Sequence, residues 1–285
     1  MIDCSLRILV LAGAAACLPL KAIAQDAAEA PAGAAVAVVA DPVKVGGVSE
    51  FELKTRTGEL EDGEVSAYFV AGPMRTTAAL PEGYPRPTPA GAMEIKSYPS
   101  VRRAEITVDA SPRLGMNMAF FPLFRHIKNR DIAMTAPVEA DLPTMARQDA
   151  ENLGVQGAEG DDAMTVSFLY RTSDLGPVGD AEENVRVIDT KPVTVLSLGI
   201  RGTMGNDRIE REIGKLYEWL ESQAERNVGP GGVEAAGRWS ADGSPRIMGY
   251  NGPDVPRRNQ WWEVQLPVAW TATDAPPEPA TSSPG

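Results

Sequence analysis

The sequence repeats one order of secondary-structure elements, and this repeat restricts the fold more than any other feature. Each copy reads as two strands, a helix and two more strands over about 80 to 90 residues. The first copy comprises MEIKSYPSVRRAEITV (93–108), GMNMAFFPLFRHIKN (115–129), DIAMTAPV (131–138) and AMTVSFLYR (163–171). The second comprises NVRVIDTKPVTVLSLGI (184–200), DRIEREIGKLYEWLESQ (207–223), SPRIMGYNGPD (244–254) and QWWEVQLPVAW (260–270). Two such ββαββ-type units are expected to form one curved, barrel-like sheet with a helix from each unit packed outside, which is an α+β fold.

The first 24 residues have the pattern of a secretory signal peptide. Arg7 precedes the apolar run ILVLAGAAACLPL, and AIA forms a small-residue cleavage site before Gln25. A run of this length is too short to span a bilayer comfortably. We therefore expect a periplasmic or secreted protein. A retained N-terminal anchor is one alternative, and a lipoprotein anchored at Cys17 is another, although Ala14 stands where that signal would have leucine.

The remaining chain divides into four segments. Residues 25–47 are rich in Ala, Pro and Gly and are expected to be a disordered linker. Residues 48–91 form an N-terminal extension, in which VSEFELKTRTG and GEVSAYFVAG suggest a hairpin. The repeated domain occupies 92–270, and the Pro-rich residues 271–285 are expected to be a disordered tail.

Removal of the leader changes which chemistry is available. It takes away Cys4 and Cys17, the only cysteines, so the mature chain has no thiol for a disulfide, a zinc–thiolate site or a nucleophile. It also removes a net charge of +1, so the formal charge falls from −12 to −13. A strongly anionic chain argues against nucleic-acid binding and against electrostatic docking on an anionic membrane.

The two helices of the repeat differ in their patterns. In the second, Asp207 and Glu210 have the spacing of a capping box, and one apolar stripe is expected to be buried. That stripe comprises Ile209, Ile213, Leu216 and Leu220. In the first, Pro122 is expected to kink the helix or to mark its true start.

The first helix also has more apolar surface than one contact with a sheet requires. At about 100° per residue, five side chains cluster on the face expected to pack on the sheet, while Met118 and Phe121 lie outside it. The five are Met116, Phe120, Leu123, Phe124 and Ile127. His126, the only histidine, projects from the flank that it shares with Ala119.

Four segments, which occur in the same order, resemble the SOUL haem-binding protein family. AFFPLFRHIKNRDIAMTAPV (119–138) is similar to the family signature, in which an aromatic-Pro-Leu-Phe helix leads into an I-x-M-T-x-P-V segment. TVSFLY (165–170), NVRVIDTKPVTVLSLGIRGT (184–203) and YNGPDVPRRNQWWEV (250–264) resemble later family segments. The resemblance spans about residues 92–268 and implies a distorted β-barrel that binds haem or another tetrapyrrole non-covalently in a hydrophobic surface cleft. His126 stands where many relatives have tyrosine.

Haem is a flat apolar disc with two propionates, so a site for it needs apolar walls, cations and sometimes an axial ligand. The walls that the resemblance suggests are Met116, Phe120, Phe121, Phe124 and Met134. Arg125, Arg257 and Arg258 are candidates for the propionates, as are Lys128 and Arg130. His126 is the only imidazole that could ligate iron. Each residue also has an ordinary interpretation: core packing for the apolar side chains, helix-end charge for His126 and the cations around it, and bonds to loop carbonyls for Arg257 and Arg258.

Catalytic motifs are not recognisable in the sequence. It has no G-x-S-x-G elbow, no phosphate-binding glycine loop and too few histidines for a zinc site. We therefore expect an exported, non-catalytic haem-binding protein. The alternative is a gyrase-inhibitor-like module that binds another apolar ligand or hydrolyses it, for which a buried acid such as Glu94 would be needed; a purely structural envelope protein is a third interpretation.

Overall fold

A computed structural model describes residues 41–60, 65–142, 163–252 and 254–273. Within these ranges the chain forms two α-helices, α1 (Pro112–Asn129) and α2 (Asn206–Glu221). Short 3-10 helices occur at Glu182–Asn184, Pro230–Gly232 and Arg257–Asn259. The strands are β1 (Val43–Gly47), β2 (Leu53–Glu59), β3 (Val65–Ala71), β4 (Met74–Arg75), β5 (Ala92–Tyr98), β6 (Arg102–Val108), β7 (Val138–Asp141), β8 (Met164–Leu169), β9 (Gly179–Asp180), β10 (Arg186–Asp189), β11 (Val193–Arg201), β12 (Arg226–Val228), β13 (Glu234–Ala241), β14 (Arg246–Gly249) and β15 (Trp261–Ala272).

The main sheet is antiparallel and open. Its strands follow the order β1-β5-β11-β15-β14-β7-β8-β6-β10-β9, with β13 also paired to β15 and β12 to β13. No pairing between described residues joins β1 to β9, so the α+β class holds but the expected closure into a barrel is not confirmed. A second small sheet, β2-β3-β4, lies in the N-terminal extension, where the sequence suggested a hairpin.

The repeat is visible in the strand pairing. The first copy is β5-β6-α1-β7-β8 and the second is β10-β11-α2-β14-β15. The copies meet where β7 of the first pairs with β14 of the second. In addition, the first strand of each copy pairs with the second strand of the other copy: β5 pairs with β11, and β10 pairs with β6. Neither copy therefore completes its part of the sheet alone.

The two faces of the sheet bury different kinds of side chain. Because successive strand residues point to opposite faces, Ile95 joins the apolar core beneath the helices, with Leu123 of α1 and Ile213 of α2. Its neighbour Lys96 lies on the other face, where it is paired with Glu263 and is fully buried. The N-terminal extension covers that face, since the backbone amide of Thr88 donates a hydrogen bond to Glu263.

Some element boundaries differ from those expected. Val43–Gly47, which was expected to lie in a linker, pairs with β5 as the edge strand of the sheet. DIAMTAPV forms no strand before Val138, because its polar groups bond elsewhere: the Ile132 amide donates to Ile127, the Thr135 hydroxyl to the carbonyl of Leu169, and the Ala136 amide to Ala79. The expected leader, most of the linker and residues 274–285 of the tail lie outside the described residues.

The second helix buries the stripe that the sequence predicts but lacks the expected cap. Ile209, Ile213 and Leu216 are buried, and Leu220 packs against the same core. The helix begins after Gly205, and no side chain caps it. Asp207 instead lies in the first turn, where a negative charge is favourable beside the helix N-terminus.

Candidate functional site

The first helix packs on the sheet through its small residues rather than through its aromatic ones. Its buried residues are Gly115, Ala119, Leu123, His126 and Ile127. A Cβ atom on Gly115 would lie 2.2 Å from Sδ of Met164, so the missing side chain is what lets α1 approach β8 so closely. The helix runs through Pro122 without ending. The expected contact face was therefore right only in part: Leu123 and Ile127 are buried, but the face is rotated towards Gly115, Ala119 and His126, so that Met116, Phe120 and Phe124 lie on its flank.

That rotation leaves an apolar groove with a volume of about 440 Å³. Its walls come from α1, from the segment that leads into β7, from the loop after β14 and from the N-terminal extension. The lining residues are Thr77, Ala78, Phe120, Phe124, Met134, Thr135, Ala136, Val138, Gly249, Tyr250, Asn251, Gly252 and Asp254. The rings of Phe120 and Phe124 are stacked with centroids 5.9 Å apart, and Phe120 also meets Phe168 edge to face at 5.3 Å. The groove thus has one firm aromatic wall.

Polar groups in the groove are few and mostly engaged. The Tyr250 hydroxyl donates to Oε1 of Glu263 at 2.8 Å, and burial, followed by the charge of Glu263, raises the pKa of Tyr250 well above its ordinary value. Asn251 bonds to the backbone of Arg75 and Trp261. None of the described lining residues is a cation, and Asp254 is the one carboxylate among them. The groove therefore suits a mainly apolar ligand.

His126 lies inside the protein and lines none of the described cavities. Its side chain is 0% exposed, its Nε2 shares a 2.8 Å hydrogen bond with the Tyr170 hydroxyl, and its Nδ1 lies 3.6 Å from Oε1 of Glu182. Burial and then the Arg130 guanidinium lower the pKa of His126, so the neutral ring is favoured. His126 was expected to be an iron ligand, but the structure places it on the flank of α1 that packs inward, away from the described cavities.

The other candidate residues fall into three groups. Phe120, Phe124 and Met134 line the groove together. Met116 and Arg257 line a second cavity of about 340 Å³, next to the preceding turn of α1. The described cavities include none of Phe121, Arg125 and Arg258, and all three side chains are exposed, Phe121 by 70%. Arg130 is held by Glu182.

Sequence reasoning missed the contributions of the loop after β14 and of the extension. Gly249, Asn251 and Gly252 belong to GYNG, whose glycines indicated a turn, and this segment carried part of the family resemblance. Thr77 and Ala78 had no local signal, because they reach the groove only through tertiary contacts such as the bond from the Thr77 hydroxyl to the Tyr250 carbonyl.

The buried acids on the other face of the sheet are bound by neighbouring groups. Glu263 accepts bonds from Lys96 at 3.0 Å, from Ser197 at 2.6 Å and from Tyr250. Burial alone would raise the pKa of Glu263, but the Lys96 ammonium and these hydrogen bonds bring it below its ordinary value. Glu94 is held by both terminal nitrogens of Arg86. Neither carboxylate lines a described cavity.

The described residues contain neither a metal-binding cluster nor a helix suited to span a membrane. Within the described ranges, no three His, Cys, Asp or Glu side chains are placed to hold a metal ion together. No helix there combines the length and apolar character that a membrane span needs.

The solved structures that align with this chain are distant in sequence and have TM-scores below 0.5. EcmrR in its complex with DNA aligns at 15% identity over 62% of this chain and 56% of that one, with a TM-score of 0.43, so the match spans about half of EcmrR. A hydrolase from Listeria innocua aligns at 10% identity over 62% and 91%, with a TM-score of 0.39. SAV2435 bound to tetraphenylphosphonium aligns at 9% identity over 62% and 93%, with a TM-score of 0.35.

No curated protein matches the chain. The SOUL heme-binding protein family matches residues 86–267, which is more than half of the sequence and includes both repeats and most of the residues that line the groove. The chain belongs to the SOUL heme-binding protein family.

Proposed function

We propose that this chain is an exported, non-catalytic protein that binds haem or a related tetrapyrrole in the groove beside α1. The observation that carries the proposal is an apolar groove, walled by Phe120, Phe124 and Met134, in a member of a haem-binding family. Its volume of about 440 Å³ lies within the range of about 300–1,000 Å³ that is typical of small-molecule sites.

The residues of the groove fit a macrocycle held mainly by apolar contact. The paired rings of Phe120 and Phe124 offer a flat wall, and methionine adapts to an irregular surface. Met134 supplies the one sulfur among the lining residues, and none of them supplies an imidazole. A bound haem would supply a redox-active iron. The chain's own part is to hold the ring and to shield one of its faces from water.

One feature supports a role in binding rather than in catalysis. The buried acids Glu94 and Glu263 are each engaged by a cation and lie away from the cavities, so neither is free to act as a general base on a ligand in the groove. The net charge of −12 disfavours nucleic acid as a partner.

The proposal that the protein is exported rests only on the signal-peptide pattern of residues 1–24. We expect the mature protein, recovered from a periplasmic or secreted fraction, to begin at Gln25 when its N-terminus is sequenced. Recovery of the intact Met1 terminus from the cytoplasm would contradict export.

The proposal is tested by titrating the protein with hemin and following the Soret band. We expect saturation near one equivalent. Phe124→Ala should weaken binding about tenfold, because it removes part of the aromatic wall. Phe121→Ala is the matched control, since Phe121 lies on the same helix but outside the groove, and it should bind as the wild type does. No saturable change, or equal losses in both variants, would contradict a haem site in this groove.

A second candidate is another apolar ligand, and the charge of the groove favours a cationic one. Asp254 lines the groove, and no described cation does. An aromatic cation that displaces hemin, and that loses affinity in Asp254→Asn while hemin does not, would favour this candidate over a tetrapyrrole.

A further inference from the structure

The solvent-facing side of α1 is apolar over most of its length. At about 100° per residue, three apolar side chains fall on one line along the helix, on the side away from the buried Ala119 and Leu123. This outer stripe comprises Leu114, Met118 and Phe121, which are exposed by 54%, 54% and 70%. A single exposed apolar side chain is ordinary, but a contiguous exposed patch is typical of a surface that contacts another molecule.

The exposed side of α2 has the opposite character. Its exposed residues are all charged, and they are Asp207, Glu210, Arg211, Lys215, Glu218 and Glu221. Across its whole length, α2 has five acidic and three basic side chains, whereas α1 has no acidic side chain at all. The charged residues of α1 are Arg113, Arg125 and Lys128, which are basic. Of these two helices, the one with an apolar outer side is therefore also the basic one, in a chain with a net charge of −12.

The basic residues of α1 extend the outer stripe. Arg125 and Lys128 continue the same line toward the C-terminal end of the helix, and Arg113 flanks its first residue. All three side chains are exposed. Long basic side chains of this kind keep their charge among polar headgroups while the apolar residues beside them enter a lipid layer. A helix with an apolar stripe and basic flanks is typical of one that lies in the plane of a membrane surface.

The acidic remainder of the chain does not cancel this local charge. Exposed charges more than about 8 Å apart are largely screened at physiological ionic strength, so only groups near α1 act on a surface that it contacts. Glu182 is engaged by Arg130, and Asp109 and Asp131 lie outside the helix, one before it and one after it. The net charge argues against docking through the rest of the surface, but not against docking through α1.

We propose that α1 docks the protein on a bilayer that contains anionic phospholipid, with the outer stripe inserted and with Arg125 and Lys128 among the headgroups. This inference goes beyond the proposed function and does not depend on it. A lipid surface complements the charge of the helix, whereas α1 of a second copy would present the same basic side chains. Phe124, which lines the groove, is on the flank of the same helix, so docking brings the groove close to the lipid, where apolar ligands accumulate.

Co-sedimentation with lipid vesicles tests the apolar part of this surface. One set of vesicles is pure phosphatidylcholine, and the other contains equal parts of phosphatidylcholine and phosphatidylglycerol. We expect the wild type to bind the anionic vesicles about tenfold or more tightly. Phe121→Asp should weaken that binding about tenfold or more, because it puts a charge in the outer stripe. Val233→Asp is the matched control, since Val233 is 67% exposed next to β13. Its affinity should stay within about twofold of the wild type, because the added charge lies away from α1 and is screened.

A pair of lysine variants tests the basic part. Lys128 and Lys191 are both exposed, so Lys128→Gln and Lys191→Gln change the net charge equally. Lys128→Gln should weaken binding to the anionic vesicles about fivefold, and Lys191→Gln by less than about twofold, because only Lys128 lies at the contact.

The outcomes decide between this surface and its alternatives. No binding of the wild type to anionic vesicles, or equal losses within either pair of variants, would overturn the docking surface. Sedimentation velocity without lipid examines the other occupant: self-association that Phe121→Asp abolishes would assign the outer stripe to a contact between copies and overturn the proposal. Hemin titration of Phe121→Asp should match the wild type, because Phe121 lies outside the groove. Failure of the docking surface would therefore leave the proposed function unaffected.

Discussion

The two helices occupy equivalent places in the two repeats, but their surroundings differ. Beside α2, β13 packs against the helix, and the side chain of Gln223 bonds to both the amide and the carbonyl of Trp239. In the first repeat, only the short segment 130–137 separates α1 from β7. Four apolar side chains of α1 are largely exposed, namely Leu114, Met118, Phe121 and Phe124.

This difference explains why a groove is open beside α1. The strands β12 and β13 follow α2 and bring Trp239 into the core, where it is 4% exposed. The first repeat has no counterpart between α1 and β7, so its flank remains open and forms the groove. The same element order therefore covers the helix in one repeat and leaves it open in the other, where we propose that the ligand binds.

The largest effect is expected in the second repeat, at Trp239. Trp239→Ala removes a buried ring that packs edge to face on Trp270 at 5.2 Å, and its Nε1 bond to the Val228 carbonyl. It should lower the free energy of unfolding by about 3–5 kcal/mol in urea titrations. Hemin affinity, measured where the variant is still folded, should stay within about twofold of the wild type. A loss of hemin affinity as large as that of Phe124→Ala would contradict the separation of stability in the second repeat from ligand binding in the first.

The next test applies one substitution to both helices. Gly115→Ala puts a methyl group against Met164 and should destabilise the protein by about 1–2 kcal/mol, because α1 must move away from the sheet. Gly214→Ala in α2 meets no atom within 4 Å and should stabilise the protein by about 0.5–1 kcal/mol through helix propensity. Urea unfolding measures both. Changes of the same sign would show that the helices do not differ in how closely they pack.

The smallest effect concerns His126 and pH. Because the folded protein holds the pKa of His126 below its ordinary value of 6.5, the unfolded chain binds more protons in the range just below pH 6.5. The contribution of His126 to stability is therefore complete above pH 6.5 and decreases as the pH falls. The pKa of Glu182 is about 2, chiefly because of its bond to Arg130, so its own contribution is lost only in stronger acid.

Urea unfolding at pH 7.5 and at pH 5.5 tests this effect. The wild type should lose more stability between the two values than His126→Gln, in which the amide can still bond to Tyr170. An equal loss in both proteins would contradict a buried, neutral ring.

The order of elements and the apolar stripe of α2 could be predicted, because both depend on local periodicity. The contact face of α1 could be predicted only in part: Leu123 and Ile127 are buried as expected, but a helical projection weighs Phe120 and Phe124 as core and gives no weight to Gly115 and Ala119, whose small size brings the helix close to the sheet. His126 appeared available for a ligand because its partner, Tyr170, lies 44 residues away. Closure of the sheet depends on its edge strands, which the repeat pattern does not include.

Hydrogen–deuterium exchange with and without hemin tests the central claim most directly, because it reports where the ligand lies. We predict slower exchange on binding in residues 120–138 and 249–252, and no change in α2 (206–221). Protection of α2 with none in 120–138, or no protection in either region at saturating hemin, would contradict a tetrapyrrole site in the groove beside α1.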